Sequence, residues 1–215
     1  MKIRKITQSL ILLSVVAVVL DLARLDIWGT TDLLYMVWNL FLAWIPYIIS
    51  LYFIKKDMRV SRFVILFIIW FLFFPNAPYL VTDVLHIAER LSPLLWYDSL
   101  LFFFFGWIGL FLGMLSLLRI HQYLKVHFSY LISEILIFAI CLVSSFGVYL
   151  GRFGRWNSWD AITNPLELVR HSFNFSTSLT HAGTLLMFVG IFTVFMYSIY
   201  RTIFALINEN LQITE

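Results

Sequence analysis

Cysteine occurs once in 215 residues, at Cys141. A lone thiol forms no intramolecular disulfide and supplies no cysteine-based metal or redox centre. Its place inside an apolar run reads as that of a small buried hydrophobe. Charge is almost as scarce: Asp, Glu, Lys and Arg make up 13% of the chain, against about 25% in an ordinary soluble domain. That excludes a soluble globular protein. The formal excess is only +3, and the basic residues lie in short segments between apolar runs. No nucleic-acid-binding face can be built from them. Internal repeats and low-complexity stretches do not stand out either, which argues against a transporter assembled from duplicated halves.

Apolar residues fill the remainder. The chain is 61% hydrophobic and 19% aromatic, with mean hydropathy +0.90. A helix of roughly 17 to 25 apolar residues crosses a bilayer, and six such segments can be drawn, at about 8–25, 31–54, 60–74, 94–118, 129–150 and 178–206. The third is short. It is expected to run on past Pro75 and Pro78 to Arg90 as a kinked or broken helix, sheltered by neighbouring helices. The first begins like a signal peptide, but no small-x-small cleavage site follows, so it is expected to be a retained helix. The expected fold is all-α: a polytopic transmembrane helical bundle of about six spans, one transmembrane domain over residues 1–215.

Basic residues concentrate on the side retained in the cytoplasm. Lys2, Arg4, Lys5, Lys55, Lys56, Arg59, Arg62, Arg119, Lys125 and Arg201 fall on one side; Arg24, Arg90, Arg152, Arg155 and Arg170 fall on the other. This bias predicts that both termini are cytoplasmic.

With that topology, four helix ends bring polar residues to the outer face. They are FFPNAPYLVTDVLHI (Phe73 to Ile87), LLWYDSL (Leu94 to Leu100), YLGRFGRWNSWD (Tyr149 to Asp160) and SLTHAGT (Ser178 to Thr184). Asp83 and His86 are three apart and share a helical face. The spacing suits a carboxylate orienting an imidazole, two ligands of one metal, or a plain hydrogen-bonded pair. Adding His181 and Asp160 gives a candidate ligand set for a divalent metal such as zinc. Asp83, His86, Asp98 and His181 form the candidate catalytic set. Arg152 and Arg155 present guanidinium forks fit for a phosphate. Asn76, Tyr79, Asn157 and Trp159 complete the candidate substrate wall. The competing reading has the tryptophans as interfacial anchors and the arginines paired with nearby aspartates.

Other features read as structural. Gly106, Gly109 and Gly113 permit close helix contact, Pro46 kinks the second helix, and Asn39 is expected to bond another helix or floor the site. His121 and His127 are expected in a short, solvated cytoplasmic loop.

The strings PNAPY-x-x-TD-x-x-H and GRF-x-RWNSWD, together with LLWYDSLLFFFFGWIGLFLGMLSL, resemble the bacterial integral-membrane family known as domain of unknown function 1361, over about residues 38–206. The resemblance implies a polytopic protein of a bacterial cytoplasmic membrane and supplies no reaction. Three functions are therefore carried forward. The first is a metal-dependent hydrolase or transferase acting on a lipid or lipid-linked substrate at the extracytoplasmic face. The second is a non-catalytic lipid- or partner-binding module. The third is a transporter, or a haem protein with His86 and His181 as axial ligands.

Overall fold

Lipid offers no partner to a backbone N–H or C=O, so a chain this apolar must satisfy its backbone within helices. The computed structural model describes residues 2–28, 33–54, 59–89, 95–168, 170 and 179–212, and no strand occurs among them. The helices are α1 (Lys2–Trp28), α2 (Leu34–Ser50), α3 (Val60–Phe73), α4 (Asn76–Thr82), α5 (Leu95–His127), α6 (Tyr130–Gly154), the single turn α7 (Asp160–Thr163) and α8 (Leu179–Gln212). Short 3-10 segments extend α2 over Leu51–Ile54 and α4 over Asp83–Glu89. Among the described residues six spans are long and apolar enough to cross a membrane, with α3, α4 and the following 3-10 turn forming one broken span, Ser61–Ile87. The expected six-span helical bundle is what the chain forms.

α5 is the hub. Its spanning window is 67% buried, against 17% for the last span. On one side it packs with α3, α6 and α8 around Trp70, Phe74, Met114, Cys141 and Met196. On the other it packs with α1, α2 and α4 around Leu40, Tyr47, Leu80, Phe105 and Ile108. Large aliphatic side chains such as Leu12, Ile65, Leu131 and Leu186 point outward and exposed, as a lipid-facing surface requires.

The third span breaks as its prolines dictate. α3 ends at Phe73; Pro75 occupies the N-cap of α4, and Pro78 lies in the first turn, where a missing N–H breaks no helical bond. Glycines of two neighbours clasp this segment. A Cβ on Gly109 would lie 2.4 Å from the Ala77 carbonyl oxygen, and one on Gly106 would lie 3.3 Å from the Val81 Cα. On the α6 side, Gly147 faces Pro75 and Gly151 faces the Tyr79 ring, with the corresponding distances 3.1 and 3.2 Å. The small residues therefore let α5 and α6 close over irregular backbone that could not face lipid.

Two sequence expectations change. α5 runs to His127, nine residues past the expected end, so His121 is not in a loop. It is fully buried between α5, α6 and α8. Its Nδ1 bonds the Tyr200 hydroxyl, and its Nε2 lies 3.8 Å from Glu134 Oε1. Glu134 in turn accepts from Arg201 at 2.7 Å and from Tyr197 at 3.2 Å. The run of polar residues that looked like a loop is the last turns of a long helix, packed against the end of α8.

Candidate functional site

The polar residues at the α4 end of the broken span converge on one side chain, Arg152. α6 carries it in its last turn, directly after Gly151, whose missing side chain leaves room for Tyr79. The Tyr79 ring lies against the guanidinium, 4.6 Å from centroid to Cζ, a cation–π contact. Arg152 donates from Nε and Nη2 to the Thr82 hydroxyl at 3.0 and 2.9 Å. Thr82 in turn donates its hydroxyl hydrogen bond to the Tyr79 carbonyl at 2.7 Å. Nη2 also meets Asp83 Oδ1 at 2.5 Å, and Asp83 Oδ2 accepts from Asn39 of α2 at 3.3 Å. Asp83 is completely buried. Its carboxylate is thus matched by a bidentate-capable cation and an amide, as a buried charge requires.

His86 completes the cluster. Its Nε2 lies 2.7 Å from Arg152 Nη1. A guanidinium only donates, so Nε2 is the acceptor. Asp83 and His86 stand on a 3-10 turn, where residues three apart are eclipsed, which is why both reach the same arginine. The edge of Tyr35 closes over the imidazole with ring centroids 5.8 Å apart.

Beside this knot opens a cavity of about 760 Å³ between α2, α3, α4 and α6. It is lined by polar residues, among them Asn76, His86, Arg152, Arg155, Asn157 and Ser158, and by apolar ones that include Trp38, Leu42, Phe71 and Phe146. Asn76 is fixed across the mouth by donating to Ser158 at 2.8 Å. Arg155 differs from Arg152. It is exposed, and no carboxylate meets it among the described residues. Its backbone is left-handed, φ 57°, closing α6 with the Trp156 N–H bonded to the Leu150 carbonyl at 3.3 Å. That six-residue closure usually has glycine at the left-handed position, and an arginine held there is strained.

The remaining candidates disperse. Asp98 joins a different ion pair: Arg24 Nε and Nη2 reach its two oxygens at 2.6 and 3.1 Å, with both residues buried. Asp160 closes a local turn by accepting from the Asn157 N–H at 2.7 Å. Trp159 is 38% exposed on the same loop. The His181 side chain lies outside the described residues. Among the described residues no three His, Cys, Asp or Glu side chains are placed to hold a metal ion. Asp83 and His86 do not fit a divalent cation as arranged, because the Arg152 guanidinium already occupies the space between them.

Asn39, Thr82 and Ser158 hold the site without standing in the candidate sets. Asn39, an amide inside an apolar helix, and Thr82, in the polar stretch after Pro78, carried a signal in the sequence; the Ser158 hydroxyl, in the turn before α7, looks like any other.

Residues 38–199 match the model of a family described as Protein of unknown function (DUF1361). No curated protein and no solved structure matches the chain.

Proposed function

The chain belongs to the DUF1361 family, whose description names no activity, and from its pocket we propose a membrane protein that binds a lipid or lipid-linked molecule with an anionic headgroup. The supporting observation is that a single cavity is lined both by arginines and amides and by aromatic and aliphatic side chains. An amphiphile needs both halves: forked donors for a phosphate and a dry surface for the chain attached to it. Arg155 takes the headgroup, since Arg152 is already committed to Thr82, Asp83 and His86. Trp38, Phe71 and Phe146 receive the first part of the acyl or polyprenyl chain. The excess of basic residues at the other end of the bundle supports placing this pocket on the extracytoplasmic side of a cytoplasmic membrane.

The test is lipid retention. Native mass spectrometry of the detergent-extracted protein, titrated with phosphatidylglycerol and separately with phosphatidylcholine, is expected to show preferential retention of the anionic lipid. Arg155→Ala should lower that affinity about ten- to a hundredfold, the value of a charge-assisted hydrogen-bond pair, with no loss of fold. Equal retention of the two lipids, or an Arg155→Ala protein that binds like wild type, would overturn the reading.

A further inference from the structure

The stretch that carries the Arg152 site has a twin. α4 reads Pro78-Tyr79-Leu80-Val81-Thr82, and the end of α2 reads Pro46-Tyr47-Ile48-Ile49-Ser50. Five residues are too short to register as a repeat in the sequence, but each copy holds an arginine in the same way. At α4 the Tyr79 ring lies 4.6 Å from the Arg152 Cζ, Thr82 accepts from Arg152, and Thr82 donates to the Tyr79 carbonyl. At α2 the Tyr47 ring lies 4.3 Å from the Arg119 Cζ. Ser50 Oγ accepts from Arg119 Nη1 at 2.9 Å and donates to the Tyr47 carbonyl at 2.6 Å. Even the separations along the chain agree: hydroxyl and arginine are 69 residues apart in one copy and 70 in the other.

The copies sit at opposite ends of the bundle. α5 and α6 are consecutive spans joined only by Phe128 and Ser129, so they run in opposite directions, and each arginine stands near its helix's C-terminal end. The alternation of spans gives α2 the direction of α5, and α3–α4 the direction of α6. Each arginine thus meets a motif on a parallel helix, at the opposite end of the bundle from the other.

One position breaks the likeness. Asp83 follows Thr82 and neutralises Arg152, whereas Leu51 follows Ser50. Arg119 is 7% exposed. Its polar partners are Ser50 Oγ and, at 3.0 Å, the hydroxyl of Tyr47, which itself bonds Thr7 Oγ1 at 2.8 Å. No carboxylate meets it among the described residues. A guanidinium has five N–H donors, and neutral hydroxyls do not offset the cost of burying its charge. We infer that Arg119 is the centre of a second anion site, at the end of the bundle opposite the Arg155 pocket, where a phosphate group supplies the negative charge that Asp83 supplies beside Arg152. The phosphate is supplied either by a phospholipid headgroup or by a soluble phosphate. The site is independent of the pocket proposed above.

The test uses the full chain in detergent on an Arg155→Ala background, which weakens lipid binding at the first pocket. Melting temperature is followed in inorganic phosphate against chloride at equal ionic strength, and in mixed micelles containing phosphatidylglycerol against phosphatidylcholine. Binding to the native state alone raises the melting temperature. A rise in phosphate and phosphatidylglycerol assigns a site open to soluble anions; a rise in phosphatidylglycerol alone assigns a lipid headgroup. In either case Arg119→Gln should abolish the rise. Leu51→Asp, which installs the carboxylate of the other copy, should raise the ligand-free melting temperature and abolish the rise too. The inference fails if no anion stabilises the folded protein. It fails equally if the rise survives in Arg119→Gln, which decides the matter should Leu51→Asp not fold.

Discussion

Arg152 and Asp83 form a buried ion pair across 69 residues of chain, Nη2 to Oδ1 2.5 Å, with their side chains 7% and 1% exposed. The pair ties the last turn of α6 to the 3-10 turn after α4, and Thr82 and His86 hang on the same guanidinium. Removing one partner leaves the other charged and buried. Arg152→Gln or Asp83→Leu is therefore expected to lower stability by about 3–5 kcal/mol. The double replacement Arg152→Met with Asp83→Leu should cost clearly less than the sum. Chemical denaturation in detergent, read as a double-mutant cycle, measures this. Additive losses would show that the pair is not coupled.

Arg155 separates stability from binding. Its left-handed backbone, φ 57°, costs a side-chain-bearing residue about 1 kcal/mol relative to glycine. Arg155→Gly is expected to melt slightly higher than wild type while losing the anionic lipid. A variant that is both less stable and still binding would contradict the assignment of headgroup contact to this residue.

The glycine seam makes a graded prediction. A Cβ at Gly109 would lie 2.4 Å from the Ala77 carbonyl oxygen, a backbone atom that cannot swing aside; at Gly113 the nearest atom is the Ala77 Cβ at 3.2 Å. Gly109→Ala should push α5 from α4 and cost about 2 kcal/mol or more, in the range of overpacked cores. Gly113→Ala should cost well under half of that. Melts of the two variants side by side provide the comparison.

Zinc should gain nothing from His86. Its Nε2 faces an arginine N–H at 2.7 Å, so a cation on that nitrogen must first displace another cation. Isothermal titration of zinc into wild type and His86→Ala is expected to give the same binding. Stoichiometric zinc lost specifically in His86→Ala would restore the metal-centre reading, with His181 as the first residue to examine.

Much of this was legible because lipid imposes simple rules. Six apolar runs became six spans, and the paired prolines broke the third where their missing donors required. Gly106, Gly109 and Gly113 proved to be the close contact their spacing implied. The meeting of Asp83, His86 and Arg152 followed from helix ends sharing one face of the membrane. What stayed illegible was pairing. Nothing in the sequence says that Asp98 answers Arg24 instead of joining Asp83, because helix order does not give the rotation of a helix about its own axis. His121 looked solvated because polar residues near a span's end resemble a loop until the neighbouring helix is seen to cover them.

The Arg24–Asp98 pair tests that last distinction. Arg24 reaches both carboxylate oxygens, at 2.6 and 3.1 Å, and fastens the end of α1 to the start of α5. The exposure of Asp98 is 0%. A catalytic aspartate can be replaced with little loss of stability, whereas a buried structural one cannot. Asp98→Ala is expected to lower stability by about 3 kcal/mol or more, because it takes a fully buried carboxylate away from the Arg24 guanidinium. Asp98→Asn, which keeps the shape and one acceptor oxygen, should lose less. Both should retain the anionic lipid in native mass spectrometry under conditions where they stay folded. An Asp98→Asn protein as stable as wild type that no longer retained or processed the lipid would move Asp98 back into the functional site.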